Sequence, residues 1–192
     1  MGRRIVTVTT TTKRLTLAEI KRELAEVARI GQTFVDADLC LKAYHPHADC
    51  FMEGDDMDYD PAAGVPLKKT LLRLERVARI PCSTTLWRRR PDDPATAEAL
   101  LFGWQASPSA TAKPSRTYQP PKLTPELRKA FIDGQPAWKT HRKADAREYF
   151  ERGGGVRGKG VKTDRVLELF VPVTDSMGNI SAVLEVFTAV VA

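Results

Sequence analysis

Cysteine is scarce in this chain, long apolar runs are absent, and none of the common catalytic signatures occurs. Cys40, Cys50 and Cys82 are odd in number, irregular in spacing and form no CxxC pair. This argues against a disulfide framework or a covalently attached haem and fits reduced thiols in a cytosolic protein. No apolar stretch approaches the roughly 20 residues that span a bilayer. The opening Met1-Gly-Arg-Arg-Ile-Val lacks the apolar core of a secretory signal, and Val6 stands where myristoylation needs Ser or Thr. Cytoplasmic residence with no membrane span is the expectation. GxSxG, HExxH and kinase motifs are missing. The run Gly153-Gly-Gly-Val-Arg-Gly-Lys-Gly160 lacks the Gly-Lys-Ser/Thr that opens a helix in a phosphate loop, so it reads as a flexible rim. No enzymatic activity and no cofactor are expected.

What is present suits one domain. The length of 192 residues allows a sizeable core, and 42% hydrophobic with 28% charged residues is ordinary for a globular protein. The net charge is +6, but it is spread along the chain. Only Arg88-Arg89-Arg90 and residues 152–162 concentrate it, and solvated charge explains both, so nucleic acid is not expected as a partner.

Residues 1–15 form a Thr-rich arm, either loose or extended and in need of a partner strand; residues 16–192 read as the single domain. Thr16-Leu-Ala-Glu19 is a capping box, and apolar residues at Leu17, Ile20, Leu24, Val27, Ile30, Phe34, Val35 and Leu39 predict one long amphipathic helix over 17–43. Residues 44–66 form a polar, acidic loop. Pro66 then opens a second helix through Leu67, Leu71, Leu74 and Val77, ending before Pro81. Residues 82–90 and 99–106 read as strands, and 107–121 as a Pro-rich insertion. Thr124-Pro125-Glu126 starts a short helix that Asp133-Gly134 stops. Residues 136–142 suit a short strand and 143–152 a helix. Two β-branched runs, 166–173 and 180–190, flank Thr174-Asp175-Ser176-Met177-Gly178-Asn179, where Gly178 can take positive φ, and so predict a hairpin. The order predicts an α+β domain: an antiparallel sheet of about five strands with the long N-terminal helix packed on one face.

The wording of that hairpin, Val171-Pro-Val, Asp175-x-x-Gly-Asn179 and Val183-Leu-Glu-Val-Phe187, resembles the closing hairpin of Cache and PAS-like sensor domains. Leu74-Glu-Arg-Val-Ala-Arg-Ile-Pro81 resembles the segment that leads into their first strand. The family often carries Asp-x-x-Gly between its first two strands, whereas this chain has Pro91-Asp-Asp-Pro94. The resemblance implies a ligand pocket between the sheet and the inserted loops, with the N-terminal helix on the other face and commonly forming a dimer contact. Such domains precede transmembrane segments in histidine kinases and chemoreceptors. Here the sequence stops where that output would begin, which suggests a stand-alone module.

Trp87, Phe102, Trp104 and Trp138, with Arg89, are the candidate pocket lining, since aromatic walls with a few cations suit a small anion or amphipathic ligand; ordinary core packing is the plainer account of each Trp. Alternation puts Trp87 and Arg89 on one strand face, opposite Leu86 and Arg88. Glu168, across the hairpin from Glu185, joins the candidates, although a pair of exposed or edge carboxylates would look the same. His45-Pro-His47-Ala-Asp-Cys50 gathers two imidazoles and a thiol, with Glu53, Asp55 and Asp56 nearby, but a second ligand pair would have to come from His141 with Cys40 or Cys82 and the hard carboxylates match the thiol poorly, so no metal is expected and the segment reads as a surface loop. The expected function is a non-catalytic sensory or ligand-binding module acting through a protein partner, with a homodimer through helix 17–43. The alternatives are an accessory subunit using a degenerate sensor fold for docking, and a metal or redox protein built on the His45/His47/Cys50 loop.

Overall fold

The computed structural model describes residues 15–43, 61–90, 93–102, 123–142 and 165–190. Helix α1 spans Leu17–Phe34, α2 Ala37–Lys42, α3 Pro61–Val77 and α4 Pro125–Ile132. The strands are β1 Ser83–Arg89, β2 Ala97–Phe102, β3 Ala137–Arg142, β4 Arg165–Thr174 and β5 Ile180–Val190. All five form one antiparallel sheet in the order β2-β1-β5-β4-β3, so the fold is α+β as expected.

The capping box forms as the sequence predicts. The Glu19 N–H donates to Thr16 Oγ1 at 3.2 Å, and the Thr16 N–H donates to Glu19 Oε2 at 2.7 Å. Leu24, Val27, Ala28 and Gly31 recur at helical spacing and bury one face of α1 against the sheet. The single helix expected over 17–43 is instead broken. Val35 and Asp36 are extended, and Asp36 caps α2 by accepting from the Leu39 N–H at 3.1 Å. The break lets both helices keep apolar residues on the core: Val35, Ala37, Cys40 and Ala43 are buried. The second helix also departs from expectation. It begins at Pro61, and Pro66 lies inside it, exposed. Pro61 fits the first helical position, where no N–H is needed. Pro66 lacks the N–H that would reach back one turn.

Helices α1, α2 and α3 cover one sheet face. Leu167, Leu169, Val171 and Val173 of β4, Ala182, Leu184 and Val186 of β5, and Leu86 of β1 meet Leu24, Val27, Leu67, Leu71 and Leu74 there. The β1–β2 register shifts between Leu86 and Trp87: Leu86 pairs with Leu101 and Trp87 with Ala99, which leaves Leu100 as the extra residue of a bulge. A bulge carries neighbouring residues to the same side, and Leu100 and Leu101 both join the helical core. Glu75 of α3 fixes the start of β1 by accepting from Thr84 N and Oγ1 at 2.7 and 2.9 Å.

The hairpin matches its prediction. The Asp175 carboxylate accepts from Met177 N, Asn179 N and Ser181 Oγ, and Gly178 closes the turn at φ +84°. Pro172 sits within β4 without breaking the sheet. Its place in the strand lies beyond the last β3 pair, Ala137 with Phe170, and Gln32 Nε2 donates to its carbonyl at 2.8 Å. No helix among the described residues is long and apolar enough to cross a membrane.

Candidate functional site

The second sheet face carries the site candidates. Its apolar part is small: Leu127, Ala130 and Phe131 of α4 pack on Phe170, Val183 and Ala97, with Trp87, Leu123 and Ile180 at the margin. α4 is placed there by local chemistry. Thr124 caps it by accepting from the Leu127 N–H, Pro125 takes the first turn, and Gly134 at φ +65° turns the chain into β3.

Beyond that cluster the same face becomes polar while staying buried. On β5, Glu185 lies opposite Phe170 of β4 and Thr85 of β1; Phe187 lies opposite Glu168 and Ser83. Glu168 and Glu185 therefore occupy diagonal positions in a checkerboard with Phe170 and Phe187. Each glutamate is 1% exposed. Ser83 and Thr85 are buried beside them. Trp87 Nε1 donates to Glu185 Oε2 at 2.6 Å. Lys139 of β3 stands opposite Glu168.

Burying two carboxylates among phenylalanines is costly unless donors and cations compensate. The Trp87 N–H donates to Glu185 directly, in a bond that the low-dielectric surroundings strengthen. The arrangement offers carboxylate oxygens, two hydroxyls and an indole beside aromatic rings.

The sequence candidates divide. Trp87 and Glu168 share this face. Arg89 ends β1 opposite Ala97 and is exposed. Of Phe102 the main chain is described, paired with Thr85. Trp104, His45, His47 and Cys50 lie outside the described residues. Trp138 does not join the others. It pairs with Leu169, whose side chain belongs to the helical core, and Lys21 Nζ of α1 lies 5.5 Å from its ring centroid. It is thus on the opposite sheet face, because β3 enters its pairing with Ala137, not Trp138, directed to the α4 side.

Glu185, Thr85 and Ser83 complete the face. Their signal in the sequence was the alternation Ser83-x-Thr85-x-Trp87 and a glutamate embedded in each β-branched run. Arg89 is exposed, whereas Glu168 and Glu185 are buried.

Thiol chemistry is suppressed on the helical side. Burial, with the Asp36 charge adding to it, pushes the Cys40 thiol up to about 12; burial with Glu75 and Glu23 does the same for Cys82. Among the described residues no three His, Cys, Asp or Glu side chains gather as metal ligands.

No known family model matches this chain. No curated protein matches it as a relative either.

Proposed function

We propose that the chain is a non-catalytic sensory or ligand-binding module of Cache/PAS-like type, which binds a small molecule on the α4 face of its sheet and acts through a protein partner. The observation that supports this reading is the buried Trp87–Glu185 bond with Glu168 on the neighbouring strand. A face kept only for packing gains nothing from two buried carboxylates, since apolar residues of like volume serve stability as well or better. The ligand class is a small molecule with a cationic or hydrogen-bond-donating head for the glutamates and an apolar body for the phenylalanine checkerboard. Cytoplasmic residence is part of the same proposal.

The test is a thermal-shift and calorimetric screen of small amines, amino acids and amphipathic cations. A hit should raise the melting temperature of the wild-type protein and lose most of that effect in Glu185→Gln and Glu168→Gln. A screen without any hit on this face would remove the ligand reading.

A second reading, an accessory subunit that uses the fold as a docking surface, draws support from exposed apolar side chains near the hairpin tip. Ser176 N and Oγ donate to Asp38 Oδ1 of α2, and Leu41, one turn along α2, and Met177 are 58% and 82% exposed. A homodimer through α1 is part of the first reading. The buried apolar face of α1 is spent on the sheet, and its outer side presents Arg22, Glu26 and Arg29 with exposed Leu17 and Phe34 at its two ends.

A further inference from the structure

β3 lies at one edge of the sheet, and no described residue pairs with its outer side. The other edge strand, β2, is interrupted by the bulge at Leu100, a device that twists an edge away from further pairing. β3 has no such protection. Its residues pair one to one with β4, so its outward N–H and C=O groups stand in an unbroken row. On the helical side this row is flanked by Trp138, 38% exposed, and by exposed Thr140. Lys21 lies over the Trp138 ring and makes no ion pair with a described residue. The strand sequence, Ala137-Trp-Lys-Thr-His-Arg142, holds two permanent cations and no acid.

We infer that the outer edge of β3 docks an extended acidic segment of a protein partner by strand addition. Main-chain bonds along the row supply affinity, and alternate side chains of the added strand supply selection. On the helical side an apolar residue of that strand covers Trp138 and a carboxylate two residues along, on the same strand face, reaches Lys21. A second copy of this chain is a poorer occupant. Antiparallel pairing of β3 with another β3 sets Lys139 and Arg142 against a strand of the same sign, and like charges across a ladder are destabilising. The inference deepens the proposed function, since it rests on the chain acting through protein contacts. It does not use the ligand face, which is the other side of the sheet.

The test uses the full chain and fluorescein-labelled decapeptides in an anisotropy titration: a Val-Val-Glu-Glu repeat, which puts both residue types on each strand face, its Val-Val-Lys-Lys counterpart, and the acidic peptide interrupted by proline at every third residue. The acidic strand should bind saturably, with the other two at least about tenfold weaker. Lys21→Glu should weaken the acidic peptide about tenfold with an unchanged melting temperature. Equal binding of the proline-interrupted peptide would mean that charge alone is read, and would overturn strand addition. Absence of binding by all three peptides would overturn it as well. So would sedimentation of the full chain as a dimer that Trp138→Arg dissolves, which would give the edge to a second copy. If the small-molecule screen succeeds while the peptides fail, this inference falls and the ligand reading stands.

Discussion

The Trp87 indole N–H reaches Glu185 Oε2 over 2.6 Å, from one strand to the next, within a sheet face where the carboxylate is 1% exposed. A donor held this way satisfies a carboxyl oxygen in the interior. Trp87→Phe removes the donor and retains most of the ring. The expected cost is about 1–3 kcal/mol, the range for leaving a buried polar group without its partner. Urea denaturation measures it. An unchanged midpoint would show that Glu185 is compensated elsewhere and that Trp87 is only packing.

Gly31 marks the closest approach of α1 to the sheet. A Cβ at this position would stand 2.2 Å from Leu184 Cδ2 and 3.2 Å from Leu74 Cδ1. Leu184 is fully buried and has little room to yield. Gly31→Ala gains about 1 kcal/mol of helix propensity but overpacks the core at about 1–3 kcal/mol. Net destabilisation is expected in thermal melts. Leu184→Val, which shortens the opposing side chain, should make the same glycine change less harmful. An additive double mutant would sink the steric account.

The two described thiols should react slowly. With Cys50→Ser as background, buried Cys40 should react with a disulfide reagent at neutral pH only as the protein opens, half-buried Cys82 slowly because its thiol stays protonated, and both at once in denaturant. Both thiols are raised from 9.0 to about 12 on folding. Their contribution to stability is therefore intact below about pH 9, where both states are protonated, and is lost as pH climbs towards 12 because the unfolded chain ionises first. Rapid labelling of the native protein would contradict the burial.

Asp175 works in the opposite sense. Its bond from Ser181 Oγ, with those from the Asn179 and Met177 N–H groups, holds its carboxyl below the usual 3.8. The contribution is present above that value and is lost as pH falls through the lower folded one. Asp175→Ala should destabilise the hairpin at neutral pH, and the difference from wild type should shrink on acidification below about pH 4. A constant difference across that range would mean that the side chain acts through shape and not through charge.

The features that the sequence made legible are local. Thr16 with Glu19, Thr124 with Pro125, and Asp175 with Gly178 each decide their turn through bonds spanning two to four residues, and each appears in the structure as predicted. The core face of α1 was also legible, because Leu24, Val27, Ala28 and Gly31 recur at helical period.

Other features depended on contacts distant in the chain. Asp36 looked like one more residue of a continuous helix, and its capping role emerged only where α2 had to turn to bury Ala37 and Cys40. β4 is buried along both faces from Val166 to Val171, so its sequence carries no alternation to tell which side a residue serves. Glu168 was therefore a pocket candidate beside the plainer account of an exposed or edge pair with Glu185, and only the strand order, which puts β4 and β5 inside the sheet, removes that account. Trp138 was assigned by its aromatic character, but the face of a strand residue is set by register with its neighbour, and pairing with Leu169 sends it to the α1 side. By itself the sequence determined the α+β class and the caps at Thr16, Thr124 and Asp175, since those rest on bonds between near neighbours. Only the tertiary structure decided which polar groups share a buried face and which strand lies at the edge of the sheet, since both depend on pairing between strands far apart in the chain.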